Sequence, residues 1–197
     1  MIIVRNDDVI LDSGGKYKGK EFERFRFVHE QISSAPDLVH CPAILCQEIE
    51  AFPEAIEYIR AETAARRMRP YLHCWNHDKN WTTHSTPVIE EMLKHCDSWF
   101  EQNLDCEFHV WATPWGATSP MAIEAAGRQG IRLETTHPTI DFKAAAKLVK
   151  DSNTVRVLYG RTILYHWWMQ GLAMFRISQS SVHGSWTAAA AAKPEWF

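Results

Sequence analysis

Four short segments of this chain carry residues that do acid–base and metal chemistry. Asn6-Asp7-Asp8 puts two carboxylates side by side, and His73-Cys74-Trp75-Asn76-His77 sets two imidazoles four positions apart. Thr113-Pro114-Trp115-Gly116 is a tight turn sequence with an indole in it, and His166 stands alone ahead of Trp167-Trp168. Carboxylates and neutral imidazoles are the donors that divalent metals take, and both titrate where general acids and bases are needed. Singly, each segment has an ordinary explanation. Adjacent aspartates are common in turns and caps, ten histidines in this length yield roughly half of one H-x-x-x-H pair by chance, and His166 beside two tryptophans also suits a packed core. The conjunction is what points to a site.

The elements around these segments supply the conjunction. Ile2-Ile3-Val4 reads as a strand that ends at Asn6-Asp7-Asp8. A helix is predicted from Glu21 to about Ser33, strand character from Leu38 to Cys46 despite Pro42, and a helix from Pro53 to about Met68. Tyr71-Leu72-His73 is the next strand and runs into a polar loop. Pro87 opens a helix with Val88, Ile89, Met92, Leu93 and Cys96 at helical spacing. Glu107 to Ala112 is a strand, Pro120 to Arg128 a helix, and Ile131-Arg132-Leu133 a strand after Gly130. Asp141 to Val149 is predicted as a helix, and Thr154 to His166 as a strand, in two pieces around Gly160.

Strands alternating with helices argue for an α/β fold with a mainly parallel sheet. Six or seven units suit a small, irregular (β/α) barrel better than a doubly wound sheet, and no glycine-rich phosphate loop opens a helix. In such barrels, sites gather at the C-terminal ends of the strands. Asp7-Asp8, His73-His77, Thr113–Gly116 and His166 all fall there, so the fold is expected to bring them to one face. Pro70 and Tyr71 ahead of His73 keep the two histidines off a single helix face, so a loop has to bring them together.

Composition narrows the class. A chain of 197 residues, 46% hydrophobic and 23% charged, suits one globular domain with a real core, expected over 1–186. The segment 187–197 is an alanine-rich, low-complexity tail. A net charge of -3 without a Lys/Arg run argues against a nucleic-acid partner. Five cysteines, odd in number and without a C-x-x-C pair, fit reduced thiols rather than a disulfide framework or structural zinc. No apolar stretch is long enough to cross a membrane, and the N-terminal apolar run breaks at Arg5, so a cytoplasmic location is expected. Nine tryptophans read mainly as packing, with sugar-ring stacking as the functional alternative.

From Asp7 to His166, in order, these segments resemble the motifs of the polysaccharide deacetylases, the NodB-homology domain of the carbohydrate esterase class. Asn6-Asp7-Asp8 matches the aspartate pair of the first motif, and His73-Cys74-Trp75-Asn76-His77 the H-[ST]-x-x-H of the second. Ala112-Thr113-Pro114-Trp115-Gly116 matches the third in part, and Ile163-Leu164-Tyr165-His166 the fifth. The resemblance implies a NodB-like distorted (β/α) barrel of six to seven strands and a divalent metal held by Asp8, His73 and His77. Zinc is the leading expectation, with ferrous iron or cobalt suited to the same donors. It further implies Asp7 as general base, the backbone N–H of Trp115 as an oxyanion donor, and His166 as the acid that protonates the departing amine.

The sequence departs from the family at three places. Cys74 stands for a Ser or Thr whose hydroxyl steadies the metal loop, and a thiol is a poorer donor. Ala112 stands for an arginine that orients the catalytic aspartate, with Arg5 on a neighbouring strand as a candidate substitute. The Asp-rich fourth motif has no clear match, Asp141-Phe142 being the nearest. The expected activity is metal-dependent removal of an N-acyl, acetyl-type group from an amino sugar or a sugar-containing carrier. The alternatives are a non-catalytic relative that binds metal or carbohydrate, and a C–N hydrolase acting on a small cyclic amide.

Overall fold

The computed structural model describes residues 2–7, 9, 19–34, 38–134 and 162–166. In chain order these form β1 (Ile2–Asp7), α1 (Glu21–Ser33), β2 (Leu38–Leu45), α2 (Cys46–Ile49), α3 (Pro53–Ala64), β3 (Tyr71–Cys74), α4 (Thr86–Leu104), β4 (Val110–Ala112), α5 (Pro120–Arg128), β5 (Arg132–Glu134) and β6 (Thr162–His166). All strand pairs are parallel, in the order β5-β4-β3-β2-β1-β6. The expected helix Asp141–Val149, the first piece of the last strand and the tail 187–197 lie outside the described residues.

Strand alternation sorts the side chains onto two faces. Leu72 pairs with Trp111, and both point outward with Ile44 into a core shared with Phe25 of α1, Ile59 of α3, Leu93 and Phe100 of α4, and Ala122 and Ala125 of α5. On α4, Ile89, Leu93, Cys96, Phe100 and Leu104 recur at helical spacing and are buried. The helix runs past its Pro87-to-Cys96 signature and stops at Asp105, a left-handed cap with φ 52°. Pro120 opens α5 behind Ser119, whose hydroxyl accepts from the Ala122 N–H at 3.2 Å. Two boundaries differ from expectation. The helix predicted to Met68 ends at Ala64, after which Arg66 turns the chain at φ 59°, and the strand predicted from Glu107 is confined to Val110–Ala112.

The opposite face lines the barrel. Cys41, Ala43, Tyr71, Val110 and Ala112 pack together there, and register puts Arg5 beside Cys41 and Glu134 beside Ala112. In a flat sheet β1 and β5 would stand about 19 Å apart at about 4.8 Å per strand. Yet Arg5 Nη1 lies 3.2 Å from Glu134 Oε2, which only a curled sheet permits. The architecture is the expected distorted (β/α) barrel.

Candidate active site

His73 lies on β3, three residues after Pro70, and is buried. Its Nδ1 is bonded to the carbonyl oxygen of Ala112 on β4. A carbonyl can only accept, so Nδ1 donates the proton of this bond and the ring is held through that nitrogen. That is how a metal-binding imidazole is normally oriented. The indole of Trp111 donates to the backbone oxygen of His73 at 2.8 Å, fixing the strand end from the other side. His77 follows in the loop, its ring 5.6 Å from that of His73 between centroids and inclined by 25°. The loop therefore brings together the two imidazoles that their sequence context keeps off a helix.

What steadies this loop is not the thiol at the Ser/Thr position. Cys74 turns to the helix layer, with Sγ 3.5 Å from Met92 Sδ of α4, and burial pushes its pKa up to about 12. The support comes from the short α2, which sequence reading missed. The Gln47 N–H donates to Trp75 O at 2.9 Å, and Glu48 Oε1 accepts from the His77 N–H at 3.3 Å. Four residues are too few to show a helical period, so only the acid at Glu48 was visible as a signal. An open cavity of about 500 Å³, lined by Gln47, Glu48, Ala51, Asn76, His77 and Asp78, adjoins His77. A larger one, of about 850 Å³, lies at the opposite end of the sheet among Met68, Arg69, Asp105 and His109, away from this chemistry.

Asp7 ends β1 and is buried. Arg5 grips both of its oxygens, Nε to Oδ1 and Nη2 to Oδ2, each at 2.8 Å. The third arm of the guanidinium reaches Glu134. Burial works against the Arg5 charge, but the two carboxylates outweigh it and raise its pKa above the ordinary arginine value. One expectation needs correction here. Arg5 is not on a strand neighbouring Ala112, since β2 and β3 stand between β1 and β4. It comes from the base's own strand and reaches Glu134 on the interior face, with the small Cys41 beside it and Ala112 beside Glu134. Glu134 was not singled out in the sequence. Its only signal was an acid ending a short apolar strand after Gly130.

The turn Pro114–Gly116 follows β4, and Trp115 and Gly116 adopt φ near +60°, at 60° and 59°. For a bulky residue this backbone is strained and marks a local constraint. The Trp115 indole is 57% exposed and lies 4.4 Å from the His77 ring, an apolar face at the rim of the site. On the far side, His166 of β6 is in register with Asp7. Its side chain, and the whole of Asp8, lie outside the described residues. Among the described residues no group of three or more His, Cys, Asp or Glu is gathered as a metal site. The donors that are described are of the kind such a site takes, two imidazoles side by side with the first held through Nδ1 on a backbone carbonyl.

No family model matches the chain, and no curated protein does. Solved structures do. The chain is similar to a family 4 carbohydrate esterase from Streptomyces lividans in complex with acetate, at 15% identity and TM-score 0.67, over 93% of this chain and 88% of that one. It is similar to a CE4 family pseudoenzyme from Bacillus anthracis, at 11% identity and TM-score 0.66, over 92% of this chain and 59% of that one. It is also similar to the peptidoglycan deacetylase PdaC from Bacillus subtilis, at 13% identity and TM-score 0.61, over 92% and 81%. The fold class is therefore the distorted, NodB-like (β/α) barrel that these structures share. One neighbour of that class is a pseudoenzyme, so chemistry in this chain has to be argued from its own residues.

Proposed function

We propose that this chain is a divalent-metal-dependent hydrolase that removes an acetyl-type N-acyl group from an amino sugar or a sugar-containing carrier. The observation that carries the reading is that a buried carboxylate held at both oxygens by Arg5, Asp7, and a buried imidazole held through Nδ1 on Ala112, His73, stand on parallel strands of one curled sheet. A buried ion pair contributes little stability over well-packed apolar side chains of similar volume, so packing alone does not call for Asp7 there. Asp8, His73 and His77 would hold the ion, most favourably zinc, with iron or cobalt fitting the same donors. A metal bound there polarises an acyl carbonyl and lowers the pKa of water into the neutral range.

The remaining steps belong to the chain. Arg5 takes one lone pair on each Asp7 oxygen, and the second lone pair of an oxygen accepts a proton from the attacking water. The Trp115 N–H donates to the oxygen on which negative charge develops. His166 protonates the nitrogen as the C–N bond breaks, releasing a free amine and a short carboxylate. The exposed Trp115 indole gives a sugar ring an apolar face to rest on. Five cysteines free of disulfides fit a reducing, cytoplasmic setting, and among the described residues no helix is long and apolar enough to cross a membrane. The test is acetate release from N-acetylated sugars by metal-loaded protein, with bound metal measured by elemental analysis. Stoichiometric metal with turnover supports the reading. Stoichiometric metal with no hydrolysis of any acylated sugar points instead to a binding protein.

A further inference from the structure

We infer that Arg5 and Glu134 are the positioning pair for Asp7, replacing from the base's own strand an arginine that β4 does not supply. The inference rests on the reading of Asp7 as the base. Three observations carry it. Both Asp7 oxygens lie 2.8 Å from one guanidinium, which fixes the plane of the carboxylate and not merely its charge. Arg5 is fully buried, and its remaining arm is held at 3.2 Å by Glu134, so the fork itself cannot swing. The residue beside Arg5 on β2 is the small Cys41, and the residue beside Glu134 on β4 is the small Ala112.

The strand geometry explains why this works. Residues 5 and 7 lie on the same face of β1, so a long side chain at 5 can fold along the strand onto a short one at 7. That alone would leave a flexible clamp. Glu134 comes from the far end of the curled sheet and pins the clamp's other side. Arg5 touches no reacting atom in this scheme. It sets the direction of the Asp7 lone pairs that face the attacking water, and a misaimed base lowers turnover without weakening substrate binding.

Arg5→Lys is the main test, because lysine keeps the charge but cannot bond both oxygens as a fork. The variant is expected to keep its metal and KM while kcat falls by about a hundredfold. Its crystal structure should show the Asp7 carboxylate rotated or split between orientations. In Arg5→Ala, adding Ala112→Arg should recover a large part of the lost kcat, since position 112 faces the same interior. Should the Arg5 variants not fold, Glu134→Ala leaves the fork whole and should still lower kcat with KM unchanged. A folded Arg5→Lys with wild-type kcat, or an unmoved Asp7 in its crystal structure, overturns the inference. So does a folded Arg5→Ala/Ala112→Arg no better than Arg5→Ala, or Glu134→Ala with wild-type kcat. If the wild type cleaves no acylated sugar, the deacetylase reading fails, and the Asp7 geometry in the Arg5→Lys crystal still decides the positioning claim.

Discussion

Asp7 and His166 sit opposite each other in parallel register on β1 and β6, so the proposed base and acid start from adjacent backbone positions at one end of the sheet. An amine is a poor leaving group unless protonated, whereas an alcohol departs more readily. His166→Ala should therefore lose most activity on an N-acetyl sugar and much less on an O-acetyl ester of similar shape. Steady-state kcat on the matched pair checks this, and equal losses on both would remove His166 from the mechanism.

The metal assignment predicts a loss that leaves the fold standing. His73→Ala/His77→Ala should abolish bound metal and activity together, because these two adjacent imidazoles are two of the three proposed ligands. Elemental analysis beside circular dichroism is the measurement. A double variant that still binds one metal per chain would show that the ligands lie elsewhere.

Asp7→Asn separates base from ligand. The amide oxygen can still accept from one arm of Arg5, but the NH2 faces the other arm as a second donor and cannot take a proton, so metal should stay while turnover falls by about a hundredfold or more. Loss of metal in Asp7→Asn, with metal kept in Asp8→Asn, would mean that the two aspartates exchange roles.

A buried histidine pair outside the site makes stability depend on pH. His29 Nε2 lies 3.0 Å from Glu62, and His29 Nδ1 lies 3.0 Å from His40 Nδ1. With Glu62 ionised, His29 donates from Nε2 and accepts at Nδ1, so His40 donates from Nδ1. That leaves buried His40 Nε2 with no partner among the described residues. Burial lowers the pKa of both rings, that of His40 well below 6.5, and protonating both would set two N–H groups against each other. The unfolded chain thus binds more protons, and stability falls as pH drops below about 6.5. The slope is at most about 1.4 kcal/mol per pH unit for each histidine. Glu62, held down to about 2 by its Arg67 hydrogen bonds, adds a loss in the same direction from about 4.5 downward. Urea midpoints between pH 8 and 5 should fall in the wild type and change less in His40→Leu. Parallel pH curves for the two proteins would show that the pair contributes nothing.

The local part of this protein was legible in the sequence. Ile2–Asp7, Glu21–Ser33, Tyr71–Cys74 and Pro120–Arg128 form much as period, proline placement and capping dictate, because those signals act within one or two turns of chain. The alternation of strands and helices, and the placing of Asp7 and His73 at strand ends, follow from the same short-range patterns. The Arg5–Asp7–Glu134 cluster was not legible in this way. Residues 5 and 134 meet only because the sheet curls, and the curl is set by the packing of whole strands. No residue near Glu134 records which side chain will cross the barrel to reach it. The same holds for Glu48, which steadies His77 from a helix too short to leave a periodic trace. What the sequence determined was which residue types stand at which strand ends. Which of them touch was decided by long-range closure, where Coulombic pairing and small interior residues select partners that sequence spacing cannot encode.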